Sequence, residues 1–264
     1  MKVNKFVPKG VKNSYEQKLM RQSGVIAAKA LKRSLESIKV GVTELEVDKE
    51  VEKEIYKNGG DISYKTVQGY QYATCITVNE EVVHGIPADR KFEGGDLVSV
   101  DLAVMYKGWH TDCAWSILVE EKGEIDSDRE EKIRFLQVGE QALRDGIDQA
   151  TEGNRVGDIS AAIQKRVEEA GYSVVRSLVG HGVGKSLHED PEIPGFGIKG
   201  KGHLLKSGMT LAIEVIYTKG DHEVVLGQDG WTFSSADGSW GGLFEMTVIV
   251  GKEGAEVLTD WKNA

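Results

Sequence analysis

Two stretches of this chain repeat one another, and the repeat limits the folds open to it. Gly95-Asp-Leu-Val-Ser-Val-Asp101-Leu matches Gly208-Met-Thr-Leu-Ala-Ile-Glu214-Val in spacing and apolar pattern. Upstream, His84-Gly-Ile-Pro87 has a counterpart in His188-Glu-Asp-Pro191. Each half therefore offers a His-x-x-Pro, then a glycine six residues before a carboxylate set in an apolar run. One match of this kind arises readily by chance; two in the same order make internal duplication the better reading. Such a chain folds as two pseudo-symmetric halves with a site between them.

The flanking pattern agrees. Ser14-x-x-Gln17 is a capping box, and apolar residues at Met20, Gly24, Ala28, Leu31, Leu35 and Ile38 continue it as a helix. A second helix is predicted from Thr43-x-x-Glu46 to the stop signal Asn58-Gly59-Gly60. Residues 75–83 and 97–119 alternate and are rich in β-branched side chains, so they read as strands; Lys107-Gly108 splits the longer run into a hairpin. Ser127-x-x-Glu130 opens a helix to about Ile147, and another runs from about Asp158 to Ala170, stopped by Gly171. Residues 173–184, 209–218, 222–226 and 242–250 read as strands among glycine-rich loops. Helix pairs thus precede strand groups twice, an α+β order. No linker rich in Pro or Ser divides the 264 residues, so one domain over 1–264 is expected.

Composition excludes several classes. No run approaches the eighteen or so apolar residues of a membrane span, and MKVNKFVPKG lacks the apolar core of a signal peptide. Two cysteines, Cys75 and Cys113, cannot make a disulfide framework, which suits a reducing cytoplasm. The net charge of −9 argues against nucleic acid as the main partner. Gly195-Phe-Gly197-Ile-Lys-Gly200 fits a dinucleotide fingerprint but follows a proline loop and precedes Lys-Gly-His, outside the strand-turn-helix context that gives the pattern meaning. Asp237-Gly-Ser239-Trp-Gly241 misses a nucleophile elbow because Asp237 stands where glycine is needed.

What remains is carboxylates where strands should be buried. Asp101 interrupts Leu97-Val98-Ser99-Val100 and Leu102-Ala103-Val104, a setting in which an unpaired charge is costly. If Lys107-Gly108 is a two-residue turn, Ala103 faces Asp112, and the two aspartates are diagonal neighbours able to converge on one cation. A three-residue turn would put them on opposite faces. Glu214 and Glu245 repeat the anomaly on later strands. A lone carboxylate of this kind is usually paired with Lys or Arg. Four are hard to pair off, because their segments carry few cations, and divalent metal supplies the missing charge. Four carboxylates with a histidine or two suit two divalent ions bridged by shared ligands. His181 and His188 lie in a glycine-rich loop beside them; His203 and His222 read as solvated, and His110 as facing outward on the hairpin.

Taken together, Cys75-Ile-Thr-Val-Asn79-Glu-Glu-Val-Val-His84-Gly-Ile-Pro87, Gly95 to Asp101, Gly-Trp-His110-Thr-Asp112, Gly-His181-Gly-Val-Gly, His188-Glu-Asp-Pro, Ile-Glu214 and Phe-Glu245-Met-Thr resemble the methionine aminopeptidases of the shorter, type I form. The resemblance implies a pita-bread fold, two α/β halves around a dinuclear metal site. It implies Asp101 on one ion, His181 and Glu214 on the other, and Asp112 and Glu245 bridging; such mixed carboxylate and histidine ligation suits manganese, iron, cobalt or zinc. It further implies His84, His188 and Glu214 as catalytic groups and Tyr70, Cys75 and Trp231, with His84 and His188, as substrate-binding ones. The expected reaction removes N-terminal methionine from nascent proteins and peptides with a small second residue, by a monomer that needs no membrane and has the ribosome as a candidate partner.

The sequence departs from the family pattern at Leu187, Val215 and Met246, where phenylalanine, proline and histidine are frequent. Rival readings are a proline-specific aminopeptidase of the same fold and a non-catalytic peptide-binding module. The first usually carries a large extra N-terminal domain, and the second should show a lost ligand. From His188 to Glu214 is a step of only 26 positions, too few for the insert of the type II enzymes.

Overall fold

The structure, a computed structural model, describes residues 10–120 and 128–264. Helix α1 (Ser14–Ser37) begins one residue away from the expected cap. Asn13, not Ser14, is the N-cap: its side-chain oxygen accepts from the N–H groups of Tyr15 and Glu16, and Glu16 accepts from the Asn13 N–H in return. Asn caps as well as Ser, so the box is Asn13-x-x-Glu16. Helix α2 (Glu44–Lys57) has the predicted box between Thr43 and Glu46.

Strand β1 (Asp61–Ile62) leads into a 3-10 turn, Ser63–Thr66. The run at 75–83 is two strands, β2 (Cys75–Val78) and β3 (Glu81–Val83), because Asn79 turns the chain at a φ of 57°. Strands β4 (Leu97–Tyr106) and β5 (Trp109–Leu118) form the expected hairpin. Lys107 and Gly108 both take positive φ, 51° and 75°, the two-residue turn whose twist matches paired strands. Helix α3 (Arg129–Asp148) follows; Ser127, the expected cap, lies outside the described residues. Helix α4 (Val156–Glu169) starts two residues before the expected Asp158, because Asp158 sits in the first turn and accepts from the Arg155 N–H.

The remaining strands are β6 (Ser173–Val174), β7 (Val179–Gly182), β8 (Glu189–Pro194), β9 (Thr210–Thr218), β10 (Val224–Leu226), β11 (Phe233–Ser235), β12 (Gly241–Ile249) and β13 (Glu256–Val257). Two prolines and three acidic residues hide β8 from a reading by alternation. The main sheet runs β1-β4-β5-β12-β9-β7-β8, with β2 on β4, β6 on β9 and β13 on β12; β10-β11-β3 form a second, small sheet.

The halves join where β5 meets β12. Helix α1 lies against β4 and β5, and α3 against β12 and β9, so each half is a helix pair backing a strand pair. The helices take one face only. Ser23 on α1 meets Thr111 at 2.9 Å, and Gly139 on α3 sits over Tyr217 and Phe244, where a Cβ would come within 2.4 Å of the Tyr217 hydroxyl. Thr111, Tyr217 and Phe244 alternate with residues facing the other way, so the opposite face is left free for a site. Phe135 of α3 stacks on Tyr217 at 4.3 Å, and each such buried side chain contributes about 1.5–3 kcal/mol to holding the helices down. No helix among the described residues is long and apolar enough to cross a membrane.

Candidate active site

The sheet register assembles the site in two rungs. Along the first, Asp101 of β4 faces Ala114 of β5, Ala114 faces Glu245 of β12, and Glu245 faces Glu214 of β9. Along the second, Ala103 faces Asp112, and across the sheet Thr247 faces Ala212, which faces His181 of β7. The Thr247 hydroxyl ties the two parts of this rung together, accepting from the Asp112 N–H at 2.9 Å and donating to the Asp112 carbonyl at 2.8 Å. Rungs two residues apart share a face. Asp101, Asp112, His181, Glu214 and Glu245 therefore stand together on the face without helices, as the two-residue turn requires.

Their side chains converge. Ligand-capable atoms of Asp112, His181 and Glu245, all buried, lie within 4.8 Å of one another. Asp112 uses its two oxygens in different directions: Oδ1 is 3.4 Å from the Tyr64 hydroxyl, which also donates to Asp101 at 2.6 Å, and Oδ2 is 3.9 Å from His181 Nε2. His181 Nδ1 lies 2.9 Å from the Gly182 carbonyl, so it carries the proton and Nε2 presents a lone pair. Glu245 Oε1 is buried with no hydrogen-bond partner among the described residues.

Among the described residues no lysine or arginine pairs with these four carboxylates, and their acidities record it. Burial lifts Asp101 to about 6 and, with the Asp101 charge, Glu214 to about 8. Asp112 and Glu245 are pushed well up by burial and by the neighbouring carboxylates. His181 falls to about 4, through burial first and His188 second. Burial also lowers His84 and His188, leaving both neutral near pH 7 with one N–H to give.

A cavity of about 420 Å³ opens over the cluster and is lined by every residue singled out in the sequence: Tyr70, Cys75, His84, Asp101, Asp112, His181, His188, Glu214, Trp231 and Glu245. Cys75 faces Asp101 across the β2–β4 pairing, which turns its sulfur inward. Tyr70 packs on Trp231 at 5.1 Å, and its hydroxyl donates to the Thr74 carbonyl. His84 holds a φ of 60° at the end of β3, its ring 5.9 Å from Phe233. Gly85 follows because a Cβ there would lie 1.9 Å from the Ile76 carbonyl oxygen. His188 stands against His181, ring centres 4.5 Å apart.

Some of the wall was not marked by the sequence: Tyr64, Val67, Leu178, Ile216 and Leu243 join the lining from a 3-10 turn, loops and neighbouring rungs. His110 is a correction. It is buried on the same face as Asp112, not turned outward, and its Nδ1 lies 2.7 Å from the Ser63 hydroxyl. Among the departures, Leu187 lines the cavity, whereas Val215 and Met246 belong to the core behind the sheet.

Four carboxylates and a histidine, with no lysine or arginine paired to the carboxylates among the described residues, at the floor of an apolar cavity between two like halves, define a class. Residues 18–252 match metallopeptidase family M24, and the chain belongs to that family. A methionine aminopeptidase of Clostridium perfringens is 41% identical over 249 residues, covering 94% of this chain and 98% of that protein. The crystal structure of methionine aminopeptidase from Thermotoga maritima superposes with a TM-score of 0.89 at 41% identity, over 94% of this chain and 98% of that one. Within the family the chain thus sits among the methionine aminopeptidases, with their pita-bread fold. Prolidase from Pyrococcus furiosus shares the fold at a TM-score of 0.74 and 25% identity, but this chain covers only 65% of it.

Proposed function

We propose that the chain is a dinuclear metal aminopeptidase that removes methionine from the N-termini of nascent polypeptides and peptides whose second residue is small. The observation that carries this is the cluster of four uncompensated carboxylates and His181 beneath an apolar cavity. Four carboxylate charges are balanced by two divalent cations. The orphaned Glu245 oxygen and the free His181 Nε2 are the donors such ions take. Asp101 would hold one ion, His181 and Glu214 the other, with Asp112 and Glu245 shared. The divergent oxygens of Asp112, one toward the Tyr64 hydroxyl that Asp101 also binds and one toward His181, support its bridging role. Oxygen and imidazole donors suit manganese, iron, cobalt or zinc, with availability choosing among them.

When bound, the ions lower the pKa of a water and polarise the scissile carbonyl. The chain's own groups do the rest. Glu214, ionised once cations stand beside it, accepts the water's proton and returns it to the leaving amine. His188 donates its N–H to the carbonyl oxygen, where negative charge develops. His84, which lines the same cavity as His188, serves as second donor at the scissile amide. Tyr70, Cys75 and Trp231 enclose the side chain that leaves; sulfur and aromatic faces suit a thioether. A buried apolar wall gives a charged N-terminal side chain no partner, so such residues are refused.

The test is to strip metal with chelator, restore manganese, iron, cobalt or zinc singly, and assay Met-Ala-Ser against Ala-Pro peptides. Metal-dependent release of methionine is expected, with norleucine also accepted because one methylene changes binding by only about 1–3 kcal/mol. Faster cleavage of Ala-Pro would transfer the assignment to the proline-specific relatives.

A further inference from the structure

One hydroxyl stands inside the carboxylate cluster. Tyr64 lies in the 3-10 turn after β1, is buried, and donates from Oη to Asp101 Oδ1 at 2.6 Å, with Asp112 Oδ1 at 3.4 Å. Its ring meets Tyr70 edge-on, centroids 5.9 Å apart, so the same residue also forms part of the cavity wall. The turn that carries it is anchored on both sides. Strand β1 pairs with β4 through Asp61↔Met105 and Ile62↔Val104; the Ser63 hydroxyl meets His110 at 2.7 Å, and the Thr66 hydroxyl donates to the Ser63 carbonyl at 2.7 Å. The phenol is thus delivered to Asp101 by backbone that belongs to the same sheet.

Resting on the reading of Asp101 and Asp112 as metal ligands, we propose that Tyr64 is a positioning residue: it orients the Asp101 carboxylate and so sets the affinity of the ion that Asp101 holds. Asp101 stands beside a second carboxylate, Asp112, and the setting of its plane depends on the donors it accepts from. A hydrogen bond to Oδ1 fixes that plane and leaves Oδ2 for coordination. Donors placed behind a ligand in this way are typically worth 10–100-fold in metal affinity. Ring and hydroxyl have separable roles here, the ring closing the cavity wall and the hydroxyl acting on Asp101.

The test is Tyr64→Phe, which keeps the ring. Calorimetric titration of the metal-free protein with Mn2+ and with Co2+ should show one of two ions bound roughly 10–100-fold more weakly and the other unchanged. The visible absorption of the Co2+ form should change in shape as the first ion's ligand field relaxes. In an Asp101→Asn background, Tyr64→Phe should leave the affinity of the remaining ion unaltered. Unchanged affinity and spectrum in the single variant, with the wild type releasing methionine, would overturn the inference and leave the functional reading standing. Equal weakening of both ions together with a lower melting temperature of the metal-free variant would also overturn it, as a general packing effect. A wild type that binds neither ion would overturn both readings.

Discussion

The metal-free protein should lose stability as the pH rises from 6.5 to 8, against the trend of the metal-loaded form. Burial holds Glu214 protonated up to about 8, against an ordinary value of 4.5. Between those values the folded chain keeps a proton that the unfolded chain has released. Its contribution is therefore fully present below about 4.5 and is lost as pH climbs to 8. Asp101 acts in the same sense but is exhausted by about 6, while Asp112 and Glu245, raised further, continue. The histidines act oppositely and at lower pH. His181 is depressed from 6.5 to about 4, so its contribution is present above 6.5 and lost as pH falls toward 4. The interval from 6.5 to 8 thus isolates the carboxylates. Across it Glu214 alone gives up about 2 kcal/mol, at about 1.36 kcal/mol per pH unit. A chain of this size moves roughly 2–4 °C in Tm per kcal/mol, so a fall of about 4–8 °C is expected. Metal requires ionised ligands and binds more tightly as pH rises, so the Mn2+-loaded protein should hold or gain Tm over the same range. Differential scanning calorimetry of both forms at fixed ionic strength measures this, and Glu214→Gln should make the metal-free slope shallower. A metal-free Tm that is level or rises between pH 6.5 and 8 would refute the claim that these carboxylates are buried without a cation.

Three further outcomes are expected. Asp112→Ala should bind fewer than two ions by elemental analysis if, as proposed, it is a ligand shared by both; two tightly held ions would count against bridging. His188→Ala should keep its metal and lose about 10²–10³-fold in kcat, the cost of a donor to a developing oxyanion, whereas His181→Ala should lose metal at one site. If the two variants behave alike, the division between substrate-facing and metal-facing histidine is wrong. Asp48→Ala should lower stability by about 3 kcal/mol and raise KM for methionine peptides. One Asp48 oxygen accepts from the Ala73 N–H, the Thr74 N–H and the Thr74 hydroxyl, pinning the loop between Tyr70 and Cys75; denaturant melts and steady-state kinetics would register a change in neither if that loop is held elsewhere.

How far the site was legible depends on which half of the chain is considered. In the first half a hairpin fixes everything. Lys107-Gly108 sets the register of β4 against β5, and the register puts Asp101 and Asp112 on one face, so chain-local information suffices. In the second half the carboxylates belong to β9 and β12, which no tight turn connects; their direct opposition, Glu214 to Glu245, is a long-range pairing. Each glutamate announces itself in its own apolar run, but nothing in either run says that they meet. The same holds for the joining of β5 to β12 and of β7 to β9, on which the placing of His181 depends. Tyr64 was illegible for a related reason. A single 3-10 turn has no periodicity to mark one face, and a tyrosine there reads as any half-apolar loop residue until β1 is seen to pair with β4.

The two halves also reach the same chemical end by different geometry. Diagonal aspartates in the first half keep their backbones apart and let a phenol stand between them. Directly opposed glutamates in the second half bring like charges face to face, an arrangement that destabilises a sheet by itself. Among the described residues nothing polar satisfies the buried Glu245 Oε1. The sheet tolerates that pairing because its folding energy comes from the other face: Val215, Tyr217, Phe244 and Met246, alternating with the glutamates on β9 and β12, are buried in the core against the helices, at about 1.5–3 kcal/mol each. Strand alternation thus separates the two demands. One face supplies the folding energy, and the other is free to hold the carboxylates of the site.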